Sequence, residues 1–303
     1  MSRRSLPAFL AVVAVSGLAV SACGTGEQTV TASSSSPSSS STPVPSARRP
    51  APGPAMAVAR VQLGAAALQL NQALEPLGLT QKVAVAIAPV GVAATPIVIG
   101  EVNPPQVAWS TIKVPLAIAA ERKHGGPMPA TVAAIAASDN SAAQALWDSL
   151  GSDEQAAAAV TRVLREGGDA RSTVPAVPTR SPYTIFGQTV WSVENATRFT
   201  AGLACLPGSE RVRRLMGRVN GNQQWGAERM KAHTGVKGGW GPGTEGGYVV
   251  RQIALIGHRD GSQTAVAMVT FGNGTSMASG TAALDRVGTW LSRNAESLPR
   301  GFC

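Results

Sequence analysis

The stretch AWSTIKVPLAIAA (Ala108–Ala120) decides how this chain is read. Its apolar run, closed by Gly125-Gly126, predicts a helix ending near Gly125. Lys113 then falls close to the helix start, where the macrodipole is already positive and a cation is least welcome. Ser110 stands three positions earlier, so on a helix the hydroxyl and the amine share a face. A serine oxygen is a weak nucleophile until a base takes its proton, and lysine is such a base only as the neutral amine. Burial and the helix N-terminus both favour that neutral form. The same four residues also suit a solvent-facing lysine, and Ser-x-x-Lys alone is a weak motif. Of the five lysines, however, only Lys113 has a serine three positions before it.

The next stretch with chemistry is Ser138-Asp139-Asn140. Ser, Asp and Asn are the preferred helix N-caps, and a helix from Ser141 to Leu150, stopped by Gly151, would use them so. Placed after Ser110 and Lys113, the triplet can also bring a second serine and an amide to a substrate held at Ser110.

Around these motifs the pattern is mixed. A helix is expected over Ala57–Leu77, then strands over Val83–Val90 and Pro96–Gly100. Helical runs follow at Thr131–Ala137, Glu154–Arg165 and Val193–Leu206, with an irregular Pro-rich stretch between the last two. Strands return at Tyr248–Ile256 and Thr264–Phe271, joined by the turn Arg259-Asp260-Gly261-Ser262, and Thr281–Asn294 reads as a closing helix. This order predicts an α/β (α+β) domain in which both ends of the chain pack on one antiparallel sheet and the middle forms a helical lobe.

Ser110-Thr111-Ile112-Lys113, then Ser138-Asp139-Asn140, then a Lys-Gly-Gly or His-Thr-Gly before the terminal strand pair and helix is similar to the serine β-lactamase and penicillin-binding D,D-peptidase superfamily. The resemblance spans about residues 57–303. It implies acyl transfer: Ser110 attacks an amide or lactam carbonyl, Lys113 is the base, Ser138 relays a proton to the leaving nitrogen, and Asn140 binds the substrate's amide. In MKAHTGVKGGWG the third motif is either Lys237-Gly238-Gly239, with glycine at the hydroxyl position, or His233-Thr234-Gly235, with histidine for lysine. With the first, Gly239 leads to Trp240, whose N–H joins that of Ser110 in an oxyanion hole. Arg251 on the following strand is then a candidate for the substrate carboxylate.

The chain departs from that pattern in two places. Only 28 positions separate Ser110 from Ser138 (138 − 110), which implies a reduced helical lobe. Class A β-lactamases hydrolyse the acyl-enzyme with a glutamate on an omega loop, whereas Ala170–Val193 here holds no Asp or Glu; Glu166 and Glu194 only flank it. Without a placed base, water attacks an ester slowly.

The first 23 residues have the three parts of an export signal: Arg3-Arg4, an apolar run from Ala8 to Val20, and small residues before Cys23. Val20-Ser21-Ala22-Cys23 resembles a bacterial lipobox, implying cleavage before Cys23 and lipid on its thiol; a plain cleaved signal and an uncleaved anchor are the alternatives. Residues 24–56 are rich in Ser and Pro and read as a solvated tether. Lipidation of Cys23 would leave Cys205 and Cys303 as a pair in a compartment that permits disulfides, two unpaired thiols being the alternative. The net charge of +9 comes mainly from scattered arginines, which suits a solvated basic surface and gives nucleic-acid binding no support. No metal-ligand spacing or cofactor motif is present, and His124 and His258 stand alone.

Two expectations follow. One is a lipid-anchored serine acyl hydrolase or transferase on the outer face of the cytoplasmic membrane, acting on peptidoglycan-like peptides or β-lactams. The other is a binding module of the same fold that has lost turnover.

Overall fold

In the computed structural model, residues 69, 70, 72, 75, 81–91, 94–230 and 233–303 are described. The leader, Cys23, the tether and most of the expected 57–77 helix lie outside them. Residues 69, 70 and 72 are helical, and Leu70 is fully buried.

Five strands form one antiparallel sheet: β1 (Lys82–Pro89), β2 (Ile97–Gly100), β3 (Thr234–Pro242), β4 (Tyr248–Gly257) and β5 (Gln263–Phe271). Their spatial order is β2-β1-β5-β4-β3. Successive strand residues point to opposite faces, and both faces are covered, which is why β4 is apolar on either side of its Arg251-Gln252 pair. Ala84, Ala86 and Ala88 of β1 enter one core with Leu116, Ile118 and Phe199. Val85 and Ile87 enter a second core with Leu284, Val287 and Leu291. The first core lies under a helical lobe, and the second lies under the C-terminal helix.

The lobe contains α1 (Lys113–His124), α2 (Pro129–Val132), α3 (Asn140–Asp148), α4 (Asp153–Glu166), α5 (Val193–Leu203) and α6 (Glu210–Met216); α7 (Met277–Arg293) closes the chain. Every residue of α1 from Lys113 to Glu121 is buried, so a helix with no polar stripe is stable there. Local chemistry sets several boundaries. Ser152 and Gln155 make a capping box on α4, and Ser192 accepts from Asn195 N at the start of α5. Ser276 and Ser279 make another, so α7 starts at Met277 rather than at Thr281 as the apolar spacing suggested.

The expected 131–137 helix is different in kind. Its first turn is α2, and Ala133–Ala137 then widen into a single π turn that ends at Ser138 in the left-handed region, with φ 60°. Helix α6 and the early start of β3 have no counterpart among the expected elements. Among the described residues, no helix is long and apolar enough to cross a membrane.

Cys205, just after α5, and the terminal Cys303 form a disulfide that closes a loop of sequence separation 98. Closing so long a loop restricts the unfolded chain strongly. Cys303→Ser is expected to lower stability by about 2–4 kcal/mol, read as a lower urea midpoint with an increased m-value as the unfolded chain expands; an unchanged midpoint would show that the link carries no stability.

Candidate functional site

The polypeptide before α1 makes a 3-10 turn over Trp109–Ile112, which carries Ser110, and α1 begins at Lys113. Trp109 is held at φ 46°, a left-handed conformation that is costly for a bulky residue and persists only where its surroundings enforce it. They do so here. The Tyr183 ring meets the indole edge-on at 4.9 Å, and Arg180 lies over both rings. Gly241 leaves the space the indole occupies, since a Cβ there would sit 2.6 Å from it. Arg180 also donates to Pro242 O and Gly243 O, fastening the 170–193 loop to the end of β3. Gln188, almost fully buried, braces that loop by accepting from Thr179 and Arg180 and donating to the carbonyls of Arg180, Tyr183 and Thr184. The nucleophile candidate is thus presented by a strained, buttressed turn.

Lys113 is fully buried, and its Nζ donates to Ser138 O (2.7 Å), Asp139 O (3.1 Å) and Asn140 Oδ1 (2.7 Å). Its hydrogen bonds therefore run to the Ser138–Asn140 segment and not to Ser110, whose hydroxyl makes no hydrogen bond among the described residues. Desolvation pushes the amine down from 10.5 to about 8, opposed by the nearby Asp139 carboxylate. Asp139 itself caps α3, accepting from Ala142 N at 2.6 Å.

Ser138 also meets a second lysine. Lys237 on β3, fully buried, donates to Ser138 Oγ at 2.9 Å, Gln223 Oε1 at 2.5 Å and Gly238 O at 2.9 Å. Burial first, and the positive charge of Lys113 second, hold Lys237 well below the usual lysine range. The carbonyl of Ser138 thus accepts from one lysine and its hydroxyl from the other. The left-handed backbone at the end of the π turn is what presents both oxygens at once.

Between the two third-motif candidates, Lys237 is the cation beside Ser138. His233 is exposed and Thr234 opens β3; both line a cavity of about 600 Å³ with Arg213, Arg214 and Leu255, at the end of β3 away from Ser138. At Gly238 a Cβ would come within 2.8 Å of the Trp225 ring, so this position faces the second core and carries no cleft hydroxyl. At Gly239 a Cβ would lie 2.9 Å from Ala108 O and 3.0 Å from Ser110 N and Thr111 N. Glycine is what lets β3 lie against the Ser110 turn. Trp240 follows on the strand, half-buried, its ring edge-on to Trp225.

Arg251 corrects an expectation. It does not face a substrate: it is 1% exposed, and its Nη1 donates to Gln106 O, Val107 O and Trp191 O at 2.9–3.1 Å while the guanidinium stacks on Trp191. It ties down the chain leading to Ser110, and burial lowers its pKa to about 9. The two flanking glutamates are also committed elsewhere. Glu166 pairs with Arg122 near the end of α1, and Glu194 pairs with Arg198 on α5. The residue that sequence reasoning missed is Gln223, which meets Lys237 from a 3-10 turn; a glutamine in GNQQ carries no motif signal.

The chain is similar in structure to a β-lactamase from Burkholderia vietnamiensis, with 20% identity, a TM-score of 0.58, and coverage of 77% of this chain and 97% of that one. It is likewise similar to an ancestral class A β-lactamase (18%, TM-score 0.55, covering 75% and 99%) and to that of the last common ancestor of Gram-negative bacteria (20%, TM-score 0.53, covering 76% and 99%). No family model matches the sequence, and no curated protein matches it. The fold is that of the serine β-lactamases and penicillin-binding proteins.

The close approach at Gly239 gives a test of the site's construction. Gly239→Ala must push β3 from the Ser110 turn, and the expected outcome is a loss of about 1–3 kcal/mol of stability together with a shift in the backbone amide resonances of Ser110 and Thr111. Unmoved resonances would mean that strand and turn are not in contact.

Proposed function

We propose that this chain is a serine acyl-transfer enzyme of the penicillin-binding type that forms a long-lived acyl-enzyme with peptide-like or β-lactam carbonyls. The observation that carries this reading is Ser138 held between two buried lysines beside the Ser110 turn. Lys113 loses its proton near pH 8, keeps two of its three hydrogen bonds as the neutral amine, and turns its lone pair to Ser110. The proton leaves Ser110 Oγ for Lys113 Nζ as the Oγ–C bond forms. The carbonyl oxygen takes up negative charge between the N–H groups of Ser110 and Trp240. The C–N bond then breaks as Ser138 Oγ hands its proton to the departing nitrogen and takes in its place, from Lys113 Nζ, the proton removed from Ser110, which returns Lys113 to the neutral amine while Lys237 orients the hydroxyl. In this reading Asn140, exposed at the head of α3 with its Oδ1 accepting from Lys113, meets the substrate amide. Glu166 and Glu194 both being engaged elsewhere, hydrolysis of the ester is slow.

Export and lipid attachment at Cys23 are part of the same proposal, with residues 24–56 as the tether and the outer face of the cytoplasmic membrane as the location. A peptidoglycan-like peptide would then be the natural acyl donor.

One observation favours a second reading. Lys113 donates to three acceptors, as an ammonium does, and none of them is Ser110. A binding module of this fold would keep that arrangement and never release the proton.

Incubation with a fluorescent penicillin separates the two. The acyl-transfer reading predicts a covalent label that outlasts the incubation and is lost in Ser110→Ala, with a labelling rate that climbs as pH rises through about 8 and levels off above it. The direction follows from the base: only the neutral form of Lys113 accepts the proton, and at pH 7 about a tenth of it is neutral. Label retained by Ser110→Ala removes Ser110 from the chemistry, and no label at any pH supports the binding module.

A further inference from the structure

The clasp around the π turn is built by one short segment. Asn220 N donates to Ala136 O at 2.8 Å, Asn222 Nδ2 donates to Ala137 O at 3.0 Å, and Gln223 Nε2 donates to Ile135 O at 3.0 Å and Ala136 O at 2.8 Å. Ile135, Ala136 and Ala137 lie in the last turn before Ser138, where helix carbonyls have no donor within the helix, and a side-chain amide has the two N–H groups to meet them. The other end of the same amide reaches the opposite wall: Gln223 Oε1 accepts from Lys237 Nζ at 2.5 Å and from Gly238 N at 3.1 Å. Gln223 is fully buried, and all four contacts are made inside the protein.

We propose that Gln223 is a positioning residue of the acyl-transfer site, its side-chain amide joining the π turn that ends at Ser138 to the strand that carries Lys237 and so fixing the Lys237–Ser138 hydrogen bond. The proposal rests on the acyl-transfer reading for its catalytic meaning, while the clasp itself is a matter of geometry.

The chemistry of the amide suits the task. Lys237 donates to three acceptors, as an ammonium does, but an uncharged amide oxygen holds that proton on nitrogen less firmly than a carboxylate in the same place, which would form a buried ion pair. The charged groups around Lys237 are few. Lys113 faces it across Ser138 and disfavours its charged form, and Asp139 turns its carboxylate to Ala142 N. A glutamine can also do what neither Glu nor Met can, which is to donate to one wall and accept from the other.

The chain's five lysines make the test direct, because each Nζ can be followed by NMR on protein labelled at lysine Cε, with Lys237→Arg identifying the resonance. In Gln223→Glu the Lys237 midpoint is expected to rise by about one pH unit or more, and the rising limb of the labelling profile is expected to change with it. In Gln223→Met, which has similar bulk but no acceptor, the labelling rate constant at saturating penicillin is expected to fall roughly tenfold or more, with the half-saturating concentration little changed. A folded Gln223→Glu whose Lys237 midpoint matches the native value overturns the proposal, as does Gln223→Met labelling at the native rate. If both variants fail to fold, the native protein decides: Gln223 Nε2 protons protected from solvent exchange support the clasp, and freely exchanging ones refute it. A native protein that takes no label fails the acyl-transfer reading alone, because the Lys237 titration does not depend on turnover.

Discussion

The site depends on a shared serine. Ser138 accepts from Lys113 through its carbonyl and from Lys237 through its hydroxyl, and both amines are fully buried. Two ammonium groups so placed would repel each other in a medium that screens poorly, besides giving up their hydration. The fold relieves this by weakening the hold of both amines on their protons. Lys237 is pushed down by burial and by Lys113, and Lys113 by burial against the pull of Asp139. Amines whose hold on their protons is weakened in this way are what base catalysis at a serine needs, and perturbed groups of this kind cluster at functional sites.

The rest of the architecture serves that constraint. Helix α1 can carry a lysine into the core because α3, α4 and the sheet surround it with apolar side chains. The π turn ends in a left-handed residue, so Ser138 is displayed with both oxygens turned toward the lysines rather than folded into a regular helix. Glycine at 239 brings the strand against the Ser110 turn, and Trp109 takes its strained conformation because Tyr183, Arg180 and Gly241 leave no other. Arg251, buried under the same turn, anchors its approach from below.

Much of this was legible in the sequence, and the exceptions have physical causes. Lys113 stood out because a cation near a helix start contradicts the dipole, and Ser138-Asp139-Asn140 because its spacing from Ser110 invites convergence. The strands β4 and β5 are marked by apolar stretches rich in Val, Ile and Thr on either side of a turn. The π turn was invisible, since Thr131–Ala137 has the apolar content of an ordinary helix and widens only through its tertiary hydrogen bonds to Asn220, Asn222 and Gln223. The role of Arg251 was misread for a related reason: a charged residue on a cleft strand suggests a ligand, and only the carbonyls of Gln106, Val107 and Trp191 reveal that it is spent on the chain itself. Choosing between Lys237 and His233 likewise needed to know which of them lies across from Ser138.

What most directly tests the account is the proton affinity of Lys113 in the folded, unliganded protein, followed by NMR of its labelled Cε as pH is raised. The account predicts loss of the proton near pH 8, well below the ordinary lysine range. A midpoint at the ordinary lysine value near 10.4 would mean that the amine is a permanent cation, and a permanent cation at that position has no lone pair with which to activate Ser110.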